Sequence, residues 1–336
     1  MGSSVFVSGA SGYIAQHVCK NLLTQGYKVV GSVRSAEKGD HISDLLNSSK
    51  FSYEVVPDIE PEGAFDNALQ KNPGLSGFFH LASPFTFKAK DVEKELLNPA
   101  VNGTWNALKS IKKNGSKISK VVVTSSHAAM FDASKARDPS YSDNEESWNP
   151  VSWKEAKTNP QLAFIASKKY AEKAAWDFVA KEKPSFALNT INPVFVFGPQ
   201  AFDSEAKFPL NQSAEIINRV LKLKPTSKAP GLGGYFVDVR DVAKAQVAAF
   251  EKDISNQRLV LASAKFAGQD LLDVLNANFE SLKGKIPQGE PGTGEKVREQ
   301  LCSIDNSKSN GILGIDYIGL DKSLTDMVKQ ILEANK

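Results

Sequence analysis

The chain has 336 residues, the length of roughly two domains. Hydrophobic residues make up 41% and charged residues 24%, which excludes a disordered, collagenous or coiled-coil chain. Lys and Arg total 41 against 38 acids, with no basic block, so a nucleic-acid partner is not expected and any positive site is local.

Residues 4–8 read as a first strand, and 12–25 as a helix ended by Gly26. Strands follow at 28–33, 51–56, 77–80, 120–124 and 189–194, with helical stretches at 91–113 and 160–182 between them. Apolar strands alternating with helices predict an α/β protein, a doubly wound parallel sheet covered on both faces. Residues 1–198 are expected to form a dinucleotide-binding domain, with later returns near 236–262. Residues 199–235 and 263–336 are expected to form a smaller domain. Within these, 235–237 reads as a strand, 238–251 as a helix, 258–262 as a strand, 283–300 as a loop and 321–334 as a helix.

Two cysteines, Cys19 and Cys302, cannot build a disulfide framework, so a reducing, cytoplasmic compartment is expected. No apolar run approaches the ~18 residues of a membrane span. No secretory pattern precedes Val5-Phe6-Val7, and neither HExxH nor paired cysteines supply metal-ligand spacing. No membrane partner and no metal are therefore expected.

The first strand-to-helix junction reads Ser8-Gly9-Ala10-Ser11-Gly12-Tyr13-Ile14-Ala15, a G-x-x-G-x-x-A spacing. A tight turn of this kind needs glycine for its backbone angles and for close approach to phosphate. The helix N-terminus offers free N–H groups and a positive dipole end to a pyrophosphate. Gly9, Ser11, Gly12, Tyr13 and Ile14 are the candidate cofactor residues. The second strand ends in Ser32-Val33-Arg34, with Lys38 a turn further on. NAD-binding folds place a carboxylate there for the ribose 2′-hydroxyl; a guanidinium suits the 2′-phosphate of NADPH.

These residues resemble the extended short-chain dehydrogenase/reductases, and more closely the fungal methylglyoxal reductases related to dihydroflavonol reductases. The resemblance is carried by SGASGYIAQHV, HLASPF, VNGTWNAL, VVVTSSHAAM, ESWNPVSW, SKKYAEKAAW and NPVFVFGPQ, in that order. It implies a Rossmann-type domain with a smaller C-terminal substrate domain, NADPH as cofactor, and a small-molecule carbonyl substrate: an aldehyde, ketoaldehyde or prochiral ketone. It places nicotinamide contacts at Pro193, Val194 and the adjoining Phe195, adenine contacts at Asp58 and Ile59, and further cofactor contacts at Leu81 and Ala82.

The family's catalysis uses a Ser, with Tyr and Lys as Y-x-x-x-K on a helix. Residues four apart share one helix face, and an ammonium beside a phenol lowers its pKa towards working pH. The resemblance places the serine at Ser126, the second of the Ser125-Ser126 pair, and the lysine at Lys168. Four residues before Lys168 stands Phe164, and no neighbouring frame supplies a tyrosine. Phenylalanine keeps the ring and removes its acidic proton. A positioned acid is worth about 10² to 10⁴ in rate. Three accounts remain open: a deliberate substitution, an enzyme with another donor, or cofactor binding without turnover. His127 is the nearest replacement acid, against a plain pocket-lining role, and an iminium substrate would need no donor. The resemblance also gives Asn102 a role in supporting Lys168 through a water. Phe85, Phe131 and Phe195 are candidates for an apolar substrate wall or simple core. An epimerase or dehydratase shares the fold and motifs as a further alternative.

Overall fold

The computed structural model describes residues 3–83 and 91–336. Its strands in chain order are β1 (Ser4–Ser8), β2 (Lys28–Val33), β3 (Phe51–Val55), β4 (Leu75–His80), β5 (Lys120–Thr124) and β6 (Ser142–Asp143). They continue with β7 (Ala187–Pro193), β8 (Phe195–Phe197), β9 (Gly233–Asp238), β10 (Arg258–Leu261), β11 (Ala264–Ala267) and β12 (Ser303–Ile304). The helices are α1 (Tyr13–Thr24), α2 (Ala36–Leu46), α3 (Asp66–Lys71), α4 (Asn98–Asn114), α5 (Trp153–Thr158) and α6 (Pro160–Glu182). Later come α7 (Gln212–Leu221), α8 (Val239–Glu251), α9 (Gly268–Asn278), α10 (Gly294–Glu299), α11 (Ser307–Leu313) and α12 (Leu320–Ala334).

Seven parallel strands form the main sheet in the order β10-β7-β5-β4-β1-β2-β3. Period-two alternation sends successive side chains to opposite layers. Val5, Val7, Phe79 and Val122 pack with α1 and α8 on one face; Phe6, Phe78, Val121 and Val123 pack with α3, α4 and α6 on the other. The central strands β1, β4 and β5 are therefore apolar on both faces, the signature of a doubly covered parallel sheet, whereas the edge strand β3 carries Ser52 and Glu54. The chain winds outward from β1 to β3, then returns to β4 on the other side of β1. The ends of β1 and β4 thus diverge at a switch point, where such sheets bind ligands.

The stretch 91–113, read as one helix, divides into a π-helical turn (Glu93–Leu97) and α4. Pro99, in the first turn of α4, has no N–H to give, which marks the true start. The loop expected at 283–300 contains α10, because its glycines and prolines lie before the helix-forming run that follows Gly294. Arg298 of that run pairs with Asp270 of α9.

The return near 236–262 is only partly to the main sheet. α8 and β10 rejoin it, but β9 lies in a separate three-stranded sheet, β11-β9-β8, together with Val196 and Phe197 from before 198. The reason is aromatic: Phe197, Phe236 and Phe266 stack edge-to-face and face-to-face across those strands. They bury into a second core with α7, α9 and α12. Residues 199–205 fasten this unit to α1. His17 bonds the Pro199 carbonyl (3.0 Å), Lys20 the Ala201 carbonyl (3.1 Å), and Gln16 donates to Glu205 (2.9 Å). Among the described residues no helix is long and apolar enough to cross a membrane.

Candidate active site

Gly9 turns the chain out of β1 with φ +68°, a backbone state that side chains disfavour. A Cβ there would lie 3.1 Å from the Ala82 Cα, so the turn lies directly against the chain leaving β4. Its N–H donates to Ser32 Oγ (3.1 Å), and Gly12 N–H closes the turn on the Gly9 carbonyl (2.9 Å). Gly12 caps α1 without a side-chain hydrogen bond, and no acid occupies the helix's first turn. The positive end of α1 is thus unneutralised, as an anion site requires. Ser11 lies in the turn itself. Ile14 packs into the core under it. The Tyr13 hydroxyl donates to the Gly198 carbonyl (2.7 Å), and burial raises its pKa well above the ordinary value, so this phenol is no acid.

Arg34 and Lys38 are exposed after β2, at the start of α2. Neither has an ion-pair partner among the described residues. Asp58 is exposed and accepts from Glu60 N–H, while Ile59 packs where a Cβ on Gly103 would touch it. Asn102 is exposed on α4 and donates to Glu60 Oε1 (3.0 Å), with Asn106 donating to the Glu60 carbonyl (2.6 Å). Thr104, two residues further and about 200° round the helix, is buried beside the Lys168 cavity. Asn102 holds the segment carrying Asp58 and Ile59.

At the end of β4, Ser8 Oγ accepts from the N–H groups of Leu81 and Ala82, both at 3.0 Å. Its own proton is left for His80 Nδ1, 3.0 Å away, which makes Nε2 the protonated nitrogen of that ring. Burial, then the Lys168 charge, lower the His80 pKa to about 4, so the ring is neutral. His80 Nε2, buried and unpaired among the described residues, faces a cavity of about 20 Å³ shared with Thr104, Ser125, Lys168 and Glu172.

Lys168 Nζ donates to Ser83 Oγ (2.9 Å) and lies 5.6 Å from the centre of the Phe164 ring. The helical spacing that predicts a shared face for the two thus holds. Burial lowers the Lys168 pKa to about 8. Ser126 begins a 3-10 turn, and its Oγ accepts from Ala128 N–H (3.1 Å), which leaves its hydroxyl proton available. Ser125 instead donates to Glu172 (2.5 Å). His127 Nε2 pairs with the buried Asp143 carboxylate (3.2 Å), and its ring lies 5.6 Å from that of Phe131. Pro193 aligns with Leu261 at the end of β7, and Val194 N–H bonds the Leu261 carbonyl (3.2 Å). Phe195 is 38% exposed beside Phe266. Phe85 lies outside the described residues. Among those residues, no group of three or more His, Cys, Asp or Glu could hold a metal.

His80 ends a strand near the cofactor turn, as its position in the sequence suggests. Sequence reading missed Ser8, Ser83 and Glu172 as polar members of this region; HLASPF and SKKYAEKAAW contain two of them, but their partners are distant in the chain.

A glycine turn at the switch point, with a Ser and a Lys converging from β5 and α6, defines a nucleotide-dependent enzyme of the extended type. The chain belongs to the NAD dependent epimerase/dehydratase family, whose description matches residues 5–262. It is 52% identical to a putative NADPH-dependent methylglyoxal reductase of Candida albicans, over 98% of both chains. It is 47% identical to the NADPH-dependent methylglyoxal reductase of Saccharomyces cerevisiae, again over 98% of both. The crystal structure of the Candida albicans protein Gre2 in complex with NADPH superposes with a TM-score of 0.97 at 51% identity, over 99% of this chain and 100% of that one.

Proposed function

We propose that this chain is an NADPH-dependent reductase of aldehydes, ketoaldehydes or prochiral ketones. One observation carries the reading. Ala82 packs against Gly9, and the very next residue, Ser83, receives the hydrogen bond of Lys168. The phosphate turn and the reactive ammonium therefore meet across two adjacent residues. The named activity of the relatives and the NADPH-bound structure support the cofactor and substrate class.

The residues fit the cofactor: Gly9 turns at positive φ with no side chain, the α1 terminus is uncapped by side chains, and two exposed cations follow β2. Gly9, Ser11, Gly12, Tyr13 and Ile14 would border the pyrophosphate, and Arg34 and Lys38 the 2′-phosphate. Asp58 and Ile59 would border the adenine; Leu81, Ala82, Pro193, Val194 and Lys168 would flank the nicotinamide half. When bound, the reduced nicotinamide supplies hydride to the carbonyl carbon. Ser126 donates its hydroxyl proton as a hydrogen bond to the carbonyl oxygen, where charge develops. Phe164 shapes the site without a proton to give. Lys168, whose charged form burial disfavours, is the proton source: its ammonium gives up one proton, relayed by the Ser83 hydroxyl, to the alkoxide oxygen left when hydride adds, and ends as the neutral amine. Phe131 and Phe195 supply apolar wall. Two free, buried thiols, Cys19 and Cys302, suit a reducing, cytoplasmic setting.

The test is NADPH oxidation at 340 nm with methylglyoxal and an aryl ketone, across pH. The working form of Lys168 is the ammonium, present below its pKa. kcat is therefore expected to fall as pH rises through about 8. Tight NADPH binding with no carbonyl-dependent oxidation at any pH overturns the reading in favour of a binding protein.

A further inference from the structure

Glu172 follows Lys168 by one helical turn, so Phe164, Lys168 and Glu172 line one face of α6. Its carboxylate is fully buried and paired with Arg258, itself 8% exposed. Arg258 Nε donates to Oε1 at 2.5 Å. The same guanidinium donates to the carbonyls of Glu145 (3.0 Å) and Ser147 and lies 3.7 Å from the Trp148 ring centre. Trp176 Nε1 (3.2 Å) and Thr190 Oγ1 (3.4 Å) also donate to Oε1. Oε2 accepts from Ser125 Oγ (2.5 Å) and Asn192 Nδ2 (2.6 Å). Asn192 Nδ2 has two hydrogens, and the other goes to the backbone carbonyl of Ser126 (3.2 Å).

A buried ion pair is weak evidence for stability, because desolvating both charges offsets their attraction. What this pair does have is direction. Oε2 grips Ser125 directly and Ser126 through Asn192, from a helix whose preceding turn carries Lys168. We propose that Glu172, held by Arg258, is a positioning residue that sets the spacing between the Ser126 hydroxyl and Lys168. The inference rests on the reductase reading above. Glu172 touches no reacting atom; it acts through Asn192 and the Ser125-Ser126 peptide. A displacement of about 1 Å between two groups that must meet one oxygen costs on the order of 10²-fold in rate.

Two variants separate positioning from bulk stability. Asn192→Ala cuts the link and spares the ion pair. It is expected to lower kcat about 10-fold while the NADPH Kd stays within about 2-fold. Exchange of the Ala128 amide, which bonds Ser126 Oγ, is expected to quicken about 10-fold while Val122 in β5 is unchanged. Glu172→Leu with Arg258→Leu replaces the pair by apolar groups. The double variant is expected to regain most of the thermal midpoint lost in Glu172→Leu alone, yet to keep the reduced kcat. Return of kcat and of Ala128 protection to parental values in the double variant would show a structural pair only and overturn the proposal. A parent chain that oxidises no NADPH sinks the reductase reading; the exchange arm then decides the positioning by itself.

Discussion

The two halves of the site are built on different principles. The glycine turn is local: Gly9, Ser11, Gly12 and Ile14 lie within six consecutive residues, and backbone N–H groups do the work. The catalytic end is dispersed. Ser83, Ser126, Lys168 and Glu172 come from the ends of β4 and β5 and from α6, and buried polar contacts hold them together. Tolerance should differ accordingly. A local turn is broken by one wrong Cβ and rescued by nothing distant. A dispersed constellation can lose one functional group and keep its frame.

The sharpest way to break the contrast is at Gly9. Gly9→Val puts a β-branched side chain at φ +68° and 3.1 Å from the Ala82 backbone. We expect NADPH affinity to fall by more than about 10²-fold in a fluorescence titration, with the fold retained by circular dichroism. A folded variant that binds normally would move the cofactor away from the turn.

Next in size is the addition of a phenol at position 164. Phe164→Tyr adds one oxygen to a ring already 5.6 Å from Lys168 Nζ. With Ser126 and Lys168 in place, ketone or ketoaldehyde reduction is expected to rise at least about 10²-fold, mostly in kcat. Cofactor affinity should change little. The pH profile should gain a limb from the phenol's ionisation. No gain with any carbonyl would mean that proton delivery has been reassigned, and His127→Ala, which removes the partner of Asp143, is then the decisive variant.

The same contrast explains what could be read from sequence. The parallel sheet, the glycine turn and the Phe164–Lys168 spacing depend on neighbours in the chain, and all three stand in the structure. The bond from Asn102 to Glu60 could not be read from sequence, because the two residues lie 42 apart in the chain. The strand at 235–237 fell on the expected boundary between the two units, because a short apolar strand looks the same in either sheet. In the structure Phe236 of β9 packs against Phe197 and Phe266, from distant segments. Glu172 could not be singled out from sequence, since all its partners but Trp176 lie 18 to 86 residues away.

The smallest effect, and the most selective, is at Arg34. It stands where a carboxylate would meet a ribose 2′-hydroxyl, and it is exposed with no ion-pair partner among the described residues. A cation with no internal partner is available to a ligand without first breaking a bond. Solvent screens it, so its contribution depends on salt. Arg34→Ala should weaken NADPH binding by about 1.5 to 3 kcal/mol and leave NADH nearly unchanged, because only NADPH carries the 2′-phosphate. The loss should shrink as salt rises from about 0.05 to 0.5 M, since added ions shorten the range of the interaction. Lys38, one turn into α2 and equally exposed, should show the same selectivity with a smaller loss, as a point charge lacking the planar fork. Equal losses for both cofactors would place Arg34 on the common part of the dinucleotide and remove the basis for NADPH preference at the end of β2.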